Sequence, residues 1–418
     1  MAYILFEDTS HFDLLPFTFT RPVFEIRKGI FTQTERWNRI TGNPCLRVSY
    51  DYLGIRFNDP LPTGEVIWIN GKFLPIAELR HLVNEAAPET FYLNPEKEVL
   101  IARFSPTLLP ADHHGIIDVV LLEKLGLKAE KTAVSPPAIR HLPDIFQEND
   151  KWIAFDFELI TRTETSGKID DPHTRIYGAD NIFVSPGVKV RAAIINAEDG
   201  PIFLGKNVEI NEGAIIRRTH AICDYAHVNM GAKLRGDTTI GPHCKVGGEI
   251  ANSVLMGYSN KGHEGYLGNA VIGYWCNLGA DTNSSNLKNN YADVKLWHYP
   301  TEKFRDTGLQ FCGLMMADHS KCGINTMFNT GTVVGVFANL FGSGFLRSYI
   351  PDFSWGGAEE MTTYRLEKAF EVAEKVMLRK GINFDIEEQT ILSKVFEITK
   401  KYRNQEFRLP NPDWKTHH

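Results

Sequence analysis

An aliphatic residue recurs every six positions from Leu204 to Val246: Leu204, Ile210, Ile216, Ile222, Val228, Leu234, Ile240 and Val246. An amphipathic helix repeats its buried face in steps of three and four, and a half-buried strand in steps of two, so neither accounts for the pattern. Gly205, Asn211, Gly241 and Gly247 directly follow repeat positions and supply turn formers at the same period. This spacing predicts a parallel β-helix, in which each aliphatic side chain enters a narrow prismatic core and three hexads complete one coil. The period resumes as Tyr266, Ile272 and Leu278, then as Met316, Cys322, Phe328, Val334 and Leu340. The two phase changes predict a loop near 248–265 and a polar insertion near 281–310, and loops ejected from a solenoid often lie on its binding face.

The flanks read differently. Residues 1–175 mix short apolar runs, expected as strands at Tyr3–Phe6, Val66–Ile69, Ile116–Leu122 and Trp152–Phe157, with helical stretches such as Ala77–Ala87. That alternation predicts an α/β domain. After a turn at Pro351–Gly357, the apolar stripe Leu366, Ala369, Phe370, Ala373, Val376 and Met377 predicts a helix. A second helix is expected over about Ile386–Tyr402, making 351–418 a helical cap or oligomer contact. The expected division is therefore 1–175, 176–350 and 351–418.

Composition narrows the function. A net charge of -6 argues against nucleic acid or an anionic membrane as the main partner. No apolar run is long enough to cross a bilayer, and the N-terminus reads as a first strand rather than a signal peptide. Six scattered cysteines without a CxxC pair read as buried thiols in a reducing cytoplasm. His417 and His418 are too few to be a tag.

The stretch KGHEGYLGNAVIGYWCNLGADTNSSN, residues 261–286, resembles the acetyltransferase half of the bifunctional N-acetylglucosamine-1-phosphate uridyltransferase/glucosamine-1-phosphate acetyltransferase (GlmU-like) family. The family pattern is a catalytic His, a Tyr three residues on, and Asn residues fourteen and twenty-three positions on; here these are His263, Tyr266, Asn277 and Asn286. The segment CGLMMADHSKCGINTMFNTGTVVGVFANLFGSG looks like later coils of archaeal and related members. The resemblance implies a left-handed β-helix, acetyl-CoA as co-substrate, and a homotrimer with sites between subunits. It implies His263 as the general base that deprotonates the amino sugar, a task suited to an imidazole titrating near pH ~6.5. By the same resemblance, the backbone N–H of Ala280 would face the thioester oxygen, and Tyr266 and Asn277 would orient the sugar. Asn286 would contact the acetyl or pantetheine portion, Arg235 the sugar phosphate, and Glu249 would orient substrate. Two basic family positions fall on Ala251 and Ala292, with Lys288 or Lys295 as substitutes for the second.

The string LLPFTFTRPVFEIRKGIFTQTERW, residues 14–37, resembles the start of a divergent, Bacteroidetes-like group of sugar nucleotidyltransferases. That implies phosphate contacts from Arg21 and from Arg27 or Lys28, helped by Thr18 and Thr20, and Mg²⁺ to balance the charge of nucleotidyl transfer. Lys72 stands where the usual enzyme has an Asp, leaving Asp8, Asp112 and Asp156 as candidate carboxylates. The expected function is N-acetylation of glucosamine-1-phosphate followed by nucleotidyl transfer from a nucleoside triphosphate. The alternatives are acylation of another amino sugar beside an inactive N-terminal domain, a metal held by His220, His227 and His243, or a non-catalytic scaffold.

Overall fold

The computed structural model describes residues 1–406, with side chains through 403, so His417 and His418 lie outside the described residues. The chain forms two compact units, one of residues 1–26 with 31–144 and one of residues 27–30 with 145 onward.

The first unit is a six-stranded mixed sheet of β1 (Tyr3–Phe6), β2 (Leu46–Arg47), β3 (Val66–Asn70), β4 (Thr90–Leu93), β5 (Val99–Phe104) and β6 (Lys128–Lys131). The strand order is β2-β1-β3-β5-β4-β6. Strands β1 and β3 run parallel, with Tyr3 to Phe6 opposite Ile67 to Asn70, so their carboxyl ends open side by side. Apolar residues cover both faces, Phe6, Trp68 and Phe104 on one and Leu5, Ile67 and Ile69 on the other. The helix Gln33–Thr41 starts in a capping box, with Thr32 accepting from Glu35 N–H and Glu35 from Thr32 N–H. Ile116–Leu122, expected as a strand, gives a helix at Val119–Lys124, because Asp118 caps it by accepting from Leu121 N–H.

The second unit is a parallel β-helix of three sheets with eight, nine and ten strands among the described residues. The eight hexad residues are all buried, in one core that also takes in Met316, Phe328, Val334 and Leu340. Fully burying each such side chain contributes roughly 1.5–3 kcal/mol, which is why the spacing is so visible in the sequence. The expected loop at 248–265 is absent. The chain stays on the coil through strands Glu249–Ala251, Val254–Gly257, Asn260–Lys261 and Tyr266–Gly268, and the coil is shortened instead. Consequently Leu267, not Tyr266, points into the core. The later insertion is real: between Asn283–Ser284 and Met315–Met316 the chain leaves the coil and forms an antiparallel hairpin, Lys295–His298 with Lys303–Asp306.

Trp152–Phe157, expected as a strand, lies in the helix Asn149–Thr161, which packs on the strands His220–Ile222 and Thr238–Ile240. This places the contact boundary at 144/145, earlier in the chain than 175. At the other end the coil continues through Ser354–Gly356, and Met361–Thr363 pairs antiparallel with it. That pairing covers an edge that would otherwise be open. The helices Leu366–Leu378 and Ile386–Ile398 follow, as expected.

One corner of the coil carries an unanticipated ladder. Tyr225, His243, Tyr258, Trp275, His319, Phe337 and Phe353 all have φ between 54° and 62°. Their rings stack in succession, with neighbouring centroids 4.2–6.3 Å apart. Left-handed backbone is costly for such residues, and ring stacking offsets the cost. Phe396, in the second tail helix, meets the end of the ladder edge-on against Phe353.

Candidate functional site

The outer face of one sheet collects most of the expected acyl-transfer residues. Lys233, Glu249 and Tyr266 lie opposite one another on adjacent strands, and the next outward positions are Arg235, Ala251 and Gly268. Arg235 donates to Glu249 at 2.7 Å. Tyr266 faces outward and half-buried, its hydroxyl accepting from Asn286 Nδ2 at 3.0 Å, and the same amide donates to Asn269 at 2.8 Å. Burial raises the Tyr266 phenol above its ordinary pKa, with Arg235 opposing and Glu249 adding to the rise. Gly268 leaves room for this ring, since a Cβ on it would lie 2.2 Å from the Tyr266 hydroxyl.

His263 sits at the corner that leads onto this face from the neighbouring sheet, with its side chain exposed. Its loop is pinned from beneath. Asn229 Nδ2 donates to the Gly262 carbonyl at 2.7 Å, and Lys261 Nζ donates to the carbonyls of His263 at 2.5 Å and Glu264 at 2.9 Å. Glu249 N–H donates to Gly265 O at 3.1 Å. Asn277 lies on the neighbouring sheet, exposed, accepting from Asn260 Nδ2 at 3.4 Å. Ala280 follows at the next corner, where its carbonyl accepts from Asn325 N–H at 2.8 Å. Thus two bonded pairs, Arg235–Glu249 and Tyr266–Asn286, lie on one sheet with Glu249 and Tyr266 on adjacent strands, His263 stands at a corner of that sheet, and Asn277 and Ala280 belong to the adjoining sheet and corner.

Two cavities adjoin these elements. One of about 710 Å³ is lined by Arg217, Arg218, Lys233 and Arg235 with Asp199. A second, of about 770 Å³, is lined by Lys288, Lys295, Asn289, Asn290 and Asn329, so both substitute lysines share it.

The three histidines considered for a metal are not brought together. His220 is wholly buried on the strand under the helix Asn149–Thr161, and burial lowers its pKa to about 4. His227 pairs with Glu209 at 3.2 Å on another sheet, and His243 stacks between Tyr225 and Tyr258. Among the described residues no three or more His, Cys, Asp or Glu side chains are gathered as metal ligands. All six cysteines are buried free thiols, as expected.

In the first unit a cavity of about 340 Å³ opens beyond the carboxyl ends of β1 and β3, lined by Asp8, Ser10, Lys72, Lys97, Glu98 and Arg140 among others. Crevices at strand carboxyl ends are the usual ligand sites of such sheets. Lys72 bridges Asp8 at 2.7 Å and Glu98 at 2.8 Å, and Arg140 binds Glu98 at 2.6 and 2.9 Å. Asp8 also accepts from Asn70 at 2.8 Å and from Ser10. Burial opposes ionisation of Asp8, but Lys72, Ser10 and Asn70 outweigh it and hold the carboxyl below its usual range. Glu98, also opposed by burial, is brought to about 2 by Arg140 and Lys72. These carboxylates are already neutralised, so they do not fit a preformed Mg²⁺ site. Asp112 is exposed on a loop, and Asp156 belongs to the second unit, accepting from Ile30 N–H at 2.8 Å.

The expected phosphate cations are likewise separated. Arg21 is buried in the first unit and donates to Thr20 Oγ1 at 3.3 Å, while Thr18 donates to the His11 carbonyl. Arg27 and Lys28 lie in the second unit, both buried. Arg27 donates to the Ile30 carbonyl and Lys28 to that of Gln147, with the Lys28 ammonium over the Trp152 ring. Gly29, which follows Lys28, has φ of 76° and donates to Asn149, while Thr239 donates to its carbonyl at 2.8 Å. This short strap ties the helix Asn149–Thr161 to the coil. Sequence reasoning missed Lys261 and Gly268; Lys261 falls on neither hexad phase, and only the shortened coil turns it into the core.

Fold and site define an α/β unit followed in the chain by a parallel β-helix. Residues 3–165 match the family model described as sugar nucleotidyl transferase. The bifunctional protein GlmU of Corynebacterium glutamicum is 30% identical over 164 residues, 37% of this chain and 30% of that protein. GlmU of Synechococcus elongatus is 25% identical over 219 residues, 50% of this chain and 43% of the relative. The chain thus spans well under half the length of these curated relatives. Among solved structures, an N-acyltransferase from Bacillus cereus, AntD, in complex with dTDP and coenzyme A covers 50% of this chain and 91% of its own, at 14% identity and a TM-score of 0.21.

Proposed function

We propose that the β-helix is an acetyl-CoA-dependent N-acetyltransferase whose acceptor is glucosamine-1-phosphate. The observation that carries this reading is the placing of two bonded pairs, Arg235–Glu249 and Tyr266–Asn286, side by side on one sheet, with the exposed His263 at its corner. His263 takes a proton from the sugar amine, the amine nitrogen attacks the thioester carbonyl, the C–S bond breaks, and CoA leaves as its thiol(ate). The Ala280 N–H would stabilise the developing oxyanion. Tyr266 and Asn277 would orient the sugar, Asn286 the acetyl or pantetheine portion, and Arg235 its phosphate, with Glu249 fixing the guanidinium. The first unit would then transfer a nucleotidyl group from a nucleoside triphosphate to the sugar phosphate, releasing pyrophosphate, with Arg21 retained as a candidate phosphate contact. The reading includes a cytoplasmic homotrimer.

Release of free CoA in the presence of acetyl-CoA and glucosamine-1-phosphate tests it. Release should depend on the sugar phosphate and fall by about 10²–10⁴-fold in His263→Ala. No sugar-dependent release from intact protein would sink the acceptor. The second reading, acylation of another amino sugar beside a first unit without nucleotidyl activity, is favoured by Lys72 occupying the Asp8–Glu98 pair.

A further inference from the structure

The inward column of one β-helix sheet reads Val190, Ile210, Val228, Val246, Lys261, Leu278, Cys322 and Leu340. Seven of these belong to the apolar core, and Lys261 is the exception, with no exposed surface at all. A buried ammonium among aliphatic neighbours is unfavourable unless its donors are satisfied. Here two of the three are taken by the carbonyls of His263 and Glu264, at 2.5 and 2.9 Å. Burial lowers its pKa to about 8, with Glu264 and Asp281 opposing, so it still carries its proton at neutral pH.

The reason for a lysine lies in the backbone. The coil is short here: Val246 is followed by Lys261 after fifteen residues, where a full coil takes eighteen. The tight corner 262–265 turns its carbonyls inward. The Gly262 carbonyl is met by Asn229 Nδ2 and that of Gly265 by Glu249 N–H. The remaining two fall to Lys261, aided at Glu264 by Asp281 N–H at 3.1 Å. Gly247 and Gly248 leave room beneath, since a Cβ on Gly248 would lie 2.7 Å from the carbonyl oxygens of His263 and Gly265. With the backbone drawn in, the His263 side chain is left outside.

We propose that Lys261 is a positioning residue, an internal tether that fixes the His263 corner from inside the β-helix. The proposal rests on the reading of His263 as the general base. Lys261 does not touch substrate; it sets where the imidazole stands, and misplacement of a reacting group by a fraction of its working distance costs rate rather than affinity.

The test uses the full chain with Lys261→Met, close in shape, and Lys261→Val, which restores the aliphatic column. Both should still fold cooperatively, with a midpoint moderately below the parent's, because the apolar replacement removes a buried charge but leaves the His263 carbonyl without its donor. Amide exchange at 263–265 should quicken by about tenfold. The kcat for CoA release from acetyl-CoA and glucosamine-1-phosphate should fall by about tenfold or more, with KM for acetyl-CoA unchanged. Unaltered exchange at 263–265 in a folded variant overturns the proposal. So does unaltered kcat where His263→Ala abolishes release. If His263→Ala retains the parent rate, the base assignment has failed, and the exchange measurement alone decides whether Lys261 tethers the corner. A collapse of both variants with exchange rising across all coils would assign Lys261 to stability and also overturn the proposal.

Discussion

The coils up to Val246 and those just after it are built to different rules. In the first region, from Leu204 to Val246, every core step is six residues and each of these core positions is aliphatic. After Val246 the core runs Ile250, Leu255, Lys261, Leu267, Ile272, Leu278 and Ser284, with steps of four and five among the sixes and two polar residues inside. Most of the candidate site, from Glu249 to Asn286, lies on the second region, with Arg235 contributed by the regular coil beside it. Regular hexads maximise burial and give little reason for a side chain to be presented in a special way. Shortened coils turn carbonyls out of register and require glycines and a buried lysine, and the resulting corners hold side chains in fixed places.

If that division is right, substitutions in the two regions fail in opposite senses. Ile240→Ala, in the regular stack, should cost about 2–5 kcal/mol of stability by leaving a cavity. CoA release per folded molecule should stay at the parent value. Chemical denaturation combined with the CoA assay checks this, and a lost rate in a folded Ile240→Ala protein would break the comparison.

The next effect concerns pH. His220 is buried neutral beneath the helix Asn149–Thr161, with its folded pKa near 4, below the ~6.5 of an unfolded chain. Between these values the unfolded state binds the extra proton, so stability is unaffected above pH ~6.5 and declines as pH falls toward 4. The slope for one proton is about 1.4 kcal/mol per pH unit. Burial shifts His319 and His243 in the same direction, so they add to the decline. Urea midpoints measured from pH 7 to pH 4 should show His220→Leu with a shallower slope than the parent. Equal slopes would remove His220 from this account.

The same contrast explains what was legible in the sequence. The regular stack was plain because burial alone sets Leu204 to Val246 on one period. The site motif was readable as residue types at fixed offsets, but its orientation was not. Tyr266 fell on an extrapolated hexad, and only the shortened coil turns it outward and puts Leu267 inside. Trp152–Phe157 was misread because a short apolar run has no period of its own, and its helical state is set by packing against the coil. The Arg27–Ile30 strap was illegible as structure, since its partners Asn149, Asp156 and Thr239 are more than a hundred residues away. The aromatic ladder was hidden because its spacing is uneven, from fifteen to forty-four residues along the chain.

A smaller effect sharpens the comparison inside the shortened coils. Gly268→Ala puts a methyl 2.2 Å from the Tyr266 hydroxyl, the far end of a mobile side chain, so the ring can move aside at little cost in stability. The midpoint of unfolding should shift by under about 1 kcal/mol, whereas CoA release should fall roughly tenfold, equivalent to about 1.4 kcal/mol of barrier. An unchanged rate would mean that the Tyr266–Asn286 pair is scaffolding for the face rather than part of the site.

The smallest expected effect on stability belongs to Arg235, whose side chain is 66% exposed beside Glu249. An exposed ion pair contributes about 0–1 kcal/mol, and salt screens it further. Arg235→Ala should therefore leave the denaturation curve within that range. If Arg235 meets the sugar phosphate, KM for glucosamine-1-phosphate should rise by about tenfold or more while KM for acetyl-CoA stays put, because a charge-assisted phosphate contact is lost. A KM unchanged in Arg235→Ala would move the phosphate to the cavity of Lys288 and Lys295 across the inserted hairpin, and would place that insertion, rather than the shortened coil, in charge of the acceptor.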